Sequence, residues 1–102
     1  DLRTKKEVKP FQDGLSLIEK MQPVSFKYNG LADSIDGQED IGFIAQDLEK
    51  IAPYLVMRYS DFLETTDKEE TELLNVKPLT LLYLLVNAVK ELSGRISSLE
   101  GK

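Results

Sequence analysis

The last third of the chain is the strongest constraint on its fold. After Pro78, Leu82, Leu85, Val89, Leu92, Ile96 and Leu99 recur at alternating spacings of three and four, the period of a helix with one apolar seam. Pro78 itself is tolerated in a first helical turn, where the N–H it lacks would have no intrahelical acceptor. Leu82, Val89 and Ile96 take the a positions of the heptad, and Leu85, Leu92 and Leu99 the d positions. The first half also carries Leu79, Leu81, Leu84, Val86 and Ala88, so it is apolar nearly all round and has to be buried on more than one side. The spacing predicts that Leu79 to Ala88 pack between the domain body and partner helices. Residues 90–102, with polar flanks, are expected to protrude as a bundle tip. Gly94 falls off the seam and costs that tip about 1 kcal/mol of helix propensity. β-Branched residues at a with leucine at d lean towards two strands, and a core helix of a monomer is the competing reading.

Composition narrows the function. A chain of 102 residues is one domain with a modest core, which invites stabilisation by oligomerisation. Hydrophobic residues at 41% and charged residues at 30% describe a folded domain and not a disordered one. The net charge of -5 argues against nucleic acid as a partner. The one basic cluster, Arg3, Lys5, Lys6 and Lys9, is confined to the first ten residues and reads locally as a solvated arm. There is no cysteine and no histidine. That removes disulfides, thiol nucleophiles, Ser-His-Asp catalysis and His-based zinc sites, and it fits an intracellular folding environment. No signal-peptide pattern is visible, and the longest apolar run, Leu79 to Val86, is too short to span a bilayer. Neither a membrane, a cofactor nor a metal is expected.

Read from the start, Asp1 to Pro10 are expected to be extended. A short helix should follow, with Asp13 as N-cap and Leu15, Leu17, Ile18 and Met21 on its apolar side, stopped by Pro23. Val24, Phe26 and Tyr28 alternate with Ser25 and Lys27, the pattern of a half-buried strand, and Asn29-Gly30 signals a turn. The loop Leu31 to Asp40 offers Asp33, Asp36, Glu39 and Asp40, but their spacing does not fit an EF-hand, so it reads as solvated. Ile41 to Ala45 should pair with Val24 to Tyr28 as a hairpin. Gln46 to Ala52 should be helical, with Leu48 and Ile51 on one face. Leu55 to Tyr59 reads as a further strand, and the carboxylate-rich Asp61 to Glu72 as a polar loop. The fold class expected is α+β, with a small antiparallel sheet or hairpins, short helices and a long C-terminal helix. The divisions are an N-terminal arm (1–10), a body with extended loops (11–73) and an oligomerisation helix (74–102).

Three segments in this order, Asp1-Leu2-Arg3-Thr4-Lys5, Pro23-Val24-Ser25-Phe26-Lys27-Tyr28 and Ile41 to Glu49 (IGFIAQDLE), followed by the apolar helix, carry a resemblance. The chain resembles the intramolecular chaperone auto-processing domain found at the C-terminus of phage endosialidases, tail fibres, tailspikes and neck appendages. The resemblance runs nearly end to end. It implies a homotrimer, which the wide apolar face also favours, with a coiled-coil-like bundle formed by the seam. It implies a β-stranded client upstream in the same precursor, and work in the cytoplasm of an infected host cell during virion assembly, with the domain absent from the mature virion.

The family's opening motif is Ser-Asp-x-Arg-x-Lys, with self-cleavage between serine and aspartate. The serine would precede Asp1, so the chain is expected to be the released product, or a sequence trimmed there by design, and to be inactive alone. With no histidine, a lysine is the natural base for a serine hydroxyl. The resemblance puts Lys5 in that role, Asp1 just after the cut, and Arg3 in the turn that supports both. Lysine must be neutral to act, which burial or neighbouring positive charge promotes. Two other functions compete: a structural trimerisation module with no processing, and the equivalent self-cleaving domain of a membrane-tethered transcription factor.

Overall fold

A computed structural model describes residues 1–101; Lys102, the last residue of the expected helical tip, lies outside the described residues. The architecture is α+β, as expected. After a one-turn helix α1 (Leu15–Ile18), strands β1 (Val24–Lys27) and β2 (Glu39–Gly42) pair antiparallel. Helix α2 (Ala45–Ile51) leads through a 3-10 turn at Pro53–Leu55 into a second antiparallel pair, β3 (Val56–Asp61) and β4 (Thr71–Val76). Helix α3 (Pro78–Glu100) closes the chain.

The core is small because few elements surround it. Leu48 of α2, Ala52, Leu55 at the end of the 3-10 turn, Val56 of β3 and Leu84 of α3 form one buried cluster. Leu17, Ile18, Met21, Phe43, Val76 and Leu81 pack around it. Lys77 N–H donates to the Leu55 carbonyl at 2.7 Å, bringing the start of α3 against that cluster. Outside the core, the Arg58 guanidinium of β3 bridges Glu49 of α2 and Glu72 of β4.

Several expected boundaries move. Helix α1 begins after Gly14, and Asp13 does not cap it; no side chain does. The Asp13 carboxylate is engaged elsewhere, by Tyr54. The helix ends at Ile18, ahead of Pro23, because the chain turns at once to lay Met21 on the core. Strand β2 starts at Glu39, two residues before the apolar run, since Lys27 and Glu39 stand opposite each other and pair at 3.8 Å. The expected polar loop from Asp61 ends at Thr71, where β4 begins. Leu73 and Leu74 lie in that strand opposite Tyr59 and Arg58, and the helix starts only at Pro78. Residues 2–4 form a 3-10 turn and not an extended arm.

Candidate functional site

The seam is the first element of the site. Within α3 the residues turned to the body are Leu81, Leu84 and Ala88, the last two buried. Continuing their spacing of three and four reaches Glu91 and Arg95, which are polar, so the inward stripe ends and the helix leaves the body. Every residue from Val89 to Glu100 is exposed. The expected seam lies beside this stripe and is not covered by its own chain. Leu82, Leu85, Val89, Leu92, Ile96 and Leu99 are between 44% and 67% exposed. The seam is therefore not a monomer's core, which corrects the single-chain reading of these positions. An apolar pocket of about 300 Å³, lined by Ile18, Met21, Pro23, Phe43, Leu81 and Leu85, continues the seam onto the body.

The second element is the N-terminal turn. The Asp1 carboxylate accepts from the backbone N–H of Arg3 at 2.8 Å and from its guanidinium, Nε to Oδ1 at 3.0 Å and Nη2 to Oδ2 at 2.5 Å. Thr4 Oγ1 donates to the Asp1 carbonyl at 3.0 Å. Arg3 thus grips Asp1 both as a cap and as a forked ion pair, the geometry that guanidinium favours. Lys5 ends the turn, its N–H donating to the Leu2 carbonyl at 3.1 Å, with its side chain exposed. The turn is closed locally, and all ten residues from Asp1 to Pro10 are exposed.

Sequence reasoning missed the third element, a dock that joins the arm to the body. Asn87 Nδ2 donates to the carbonyls of Phe11 and Asp13, both at 2.8 Å. Gly14 is buried against the same helix. A Cβ there would stand 2.6 Å from Glu91 Oε1 and 2.9 Å from Asn87 Cβ, so glycine is required by close approach. Tyr54 donates to Asp13 Oδ2 at 2.5 Å, and its ring meets Phe11 edge-on at 5.6 Å. Burial, reinforced by the hydrogen bond and charge of Asp13, pushes the Tyr54 phenol up to about 12. The visible signal for this dock was Asn87 itself, one amide inside an otherwise apolar run.

At the far end, the two hairpin tips touch, Ala32 N–H donating to the Leu63 carbonyl at 2.9 Å. Asp33, Asp36, Asp61 and Asp67 line the groove there. No group of three or more acidic side chains among the described residues is arranged to hold a metal ion. No helix among them is long and apolar enough to cross a membrane.

Comparison with known proteins places the chain. The family described as chaperone of endosialidase matches residues 1–57, which span the N-terminal turn, α2 and the side of the dock that carries Phe11, Asp13, Gly14 and Tyr54. The long tail fiber proteins Gp37 of Enterobacteria phages K3 and T2 are each 33% identical over the whole of this chain. The chain covers only 8% and 7% of their lengths. On the family match over more than half its length, this chain belongs to the chaperone-of-endosialidase family.

Proposed function

We propose that the chain is an assembly chaperone for a tail-fibre-type protein. It gathers three copies through the α3 seam, holds the β-stranded segments of its own precursor in register, and is then released by hydrolysis of the bond preceding Asp1. The observation that carries this reading is the row of six seam residues left open to solvent along a helix that projects from its body. Long β-stranded chains associate slowly and expose sticky edges while they do so. A trimerising helix aligns them early, and its removal makes the product persist by kinetics. The setting proposed is the cytoplasm of an infected cell during virion assembly.

For release, a serine placed before Asp1, as in the family motif, supplies the hydroxyl, and Lys5 takes its proton. One water is consumed overall. The hydroxyl oxygen bonds to the carbonyl carbon of the scissile bond, and the bond from that carbon to the Asp1 nitrogen breaks as the nitrogen takes the proton from Lys5. The water then hydrolyses the ester, leaving a carboxylate, the free hydroxyl and the Asp1 amine. Lys5 is exposed in the single chain. Packing against the wound client or a neighbouring chain would desolvate it and favour the neutral amine, which ties cleavage to completed assembly. Arg3, by holding Asp1, presents the bond.

Two measurements test the two halves. Light scattering across a dilution series should give the mass of three chains, and a one-chain mass throughout would remove the trimer. A longer chain with serine before Asp1 should cut itself there, and Lys5→Ala should not. A longer chain that trimerises and stays whole would leave a structural trimerisation module.

A further inference from the structure

We infer that Asn87 is a positioning residue for self-processing, holding the N-terminal arm on α3 so that the bond before Asp1 is presented in one place. The inference rests on the self-processing reading above. Among the described residues, no hydrogen bond or ion pair joins residues 1–10 to the remainder of the chain. The arm's polar anchorage is therefore the dock immediately after it. There a single side chain spends both of its amide protons on two carbonyls of one irregular segment, at 2.8 Å each. Those carbonyls belong to no helix or strand, and without Asn87 they would turn to water.

Three further contacts converge on the same four residues, Phe11 to Gly14. Gly14 lies so close to α3 that a methyl group would strike Asn87 and Glu91. Tyr54 holds the Asp13 side chain, and Phe11 packs on the Tyr54 ring. Pro10, just upstream, fixes its own φ and restricts Lys9, so the exit direction of the arm follows from the dock. Fixing the point from which a ten-residue tether leaves confines its reactive end and raises the frequency of productive encounters.

The dock also sits where it can sense assembly. At about 100° per residue, Asn87 and Glu91 flank the Leu84–Ala88 stripe on one side and the seam flanks it on the other. Partner helices on the seam therefore leave the dock free, yet they order the helix that carries it. Assembly of α3 and presentation of the scissile bond are linked through one amide.

The test uses the longer chain with serine before Asp1, comparing the parent with Lys5→Ala, Asn87→Ala and Asn87→Gln. The parent should cut and Lys5→Ala should not. Asn87→Ala should cut at least about tenfold more slowly while retaining the three-chain mass and the parent's melting temperature. Asn87→Gln, which keeps both donors, should recover most of the rate, as loss of general stability would not. Asn87→Ala cutting within about twofold of the parent, with mass and melting unchanged, overturns the inference. A parent that never cuts overturns the processing reading, and this inference with it. Should Asn87→Ala fold poorly, Gly14→Ala lifts the same segment while leaving Asn87 in place. Slow cutting by a folded Gly14→Ala supports the dock, and a parental rate refutes it.

Discussion

Leu92→Asp separates assembly from folding more cleanly than any other change in this chain. Leu92 sits at a d position of the seam, in the part of α3 where every residue from Val89 onward is exposed. In the isolated chain the substitution disturbs only helix propensity, by about 0.5 kcal/mol. In a bundle it acts on every copy. Each seam residue still has roughly half its surface to bury, worth about 1 kcal/mol apiece and so about 6 kcal/mol per chain. Over three chains that gain is about 18 kcal/mol, set against an association cost on the order of 10 kcal/mol for each of two joining steps, so the assembly is finely balanced. Aspartate forfeits its 1 kcal/mol share and adds a desolvated carboxylate, together about 3 kcal/mol or more per chain. Summed over three chains, the assembly constant falls by on the order of a millionfold.

The assay is light scattering over one dilution series, paired with thermal melting. Leu92→Asp should show a one-chain mass at concentrations where the parent shows three. Leu84→Ala is the complementary control, since that side chain is fully buried in its own body and its truncation should weaken the fold by about 2–5 kcal/mol. A three-chain mass for Leu92→Asp across the series would refute the seam as the assembly surface.

Two other perturbations probe the body. Folding raises the Tyr54 phenol to about 12 from 10.0, so the folded state holds that proton more tightly than the unfolded state. Its contribution is therefore complete below pH 10 and lost as pH rises through about 12. The ring is still a third open to solvent, so the effect is modest. The melting temperature should fall more steeply over this range for the parent than for Tyr54→Phe, and equal slopes would dismiss the Asp13 bond as a stabilising contact. Arg58→Ala should cost only about 0.5–1 kcal/mol despite breaking two ion pairs, because the guanidinium is largely exposed. The loss, read by denaturant unfolding, should shrink in about 1 M salt, and a salt-independent loss would point to packing of the Arg58 stem instead.

What was legible in the sequence follows from how locally each signal is written. The β1–β2 pairing was readable because Val24 and Phe26 alternate with polar neighbours, and α2 because Leu48 and Ile51 share a face. Strand β4 was hidden because Thr71, Glu72 and Asn75 stay exposed on a two-stranded ribbon, while Leu74 read as the start of the helix. Asp13 was misplaced for a different reason. Its local context is that of an N-cap, but its partner is Tyr54, 41 residues away, and no local spacing encodes that. Asn87 was similarly visible only as an anomaly, since the two carbonyls that explain it lie 74 and 76 residues earlier.

Two apolar stripes on one helix explain why this chain should not be complete alone. The inward stripe, Leu81, Leu84 and Ala88, ends where Glu91 and Arg95 replace it, and the adjacent seam runs on to Leu99. One surface is covered by the chain's own body and the other is left open to solvent. The shape agrees: the radius of gyration is 18.4 Å, against about 13 Å for a compact domain of 100 residues. An elongated chain with seven buried hydrophobic residues among those described obtains little of its stability internally. Where association buries the seam, stability grows with chain concentration. Melting temperature should therefore rise on concentrating the parent and stay flat for Leu92→Asp. On the function proposed above, such a chain would be at its most stable while copies are held together and would loosen once diluted.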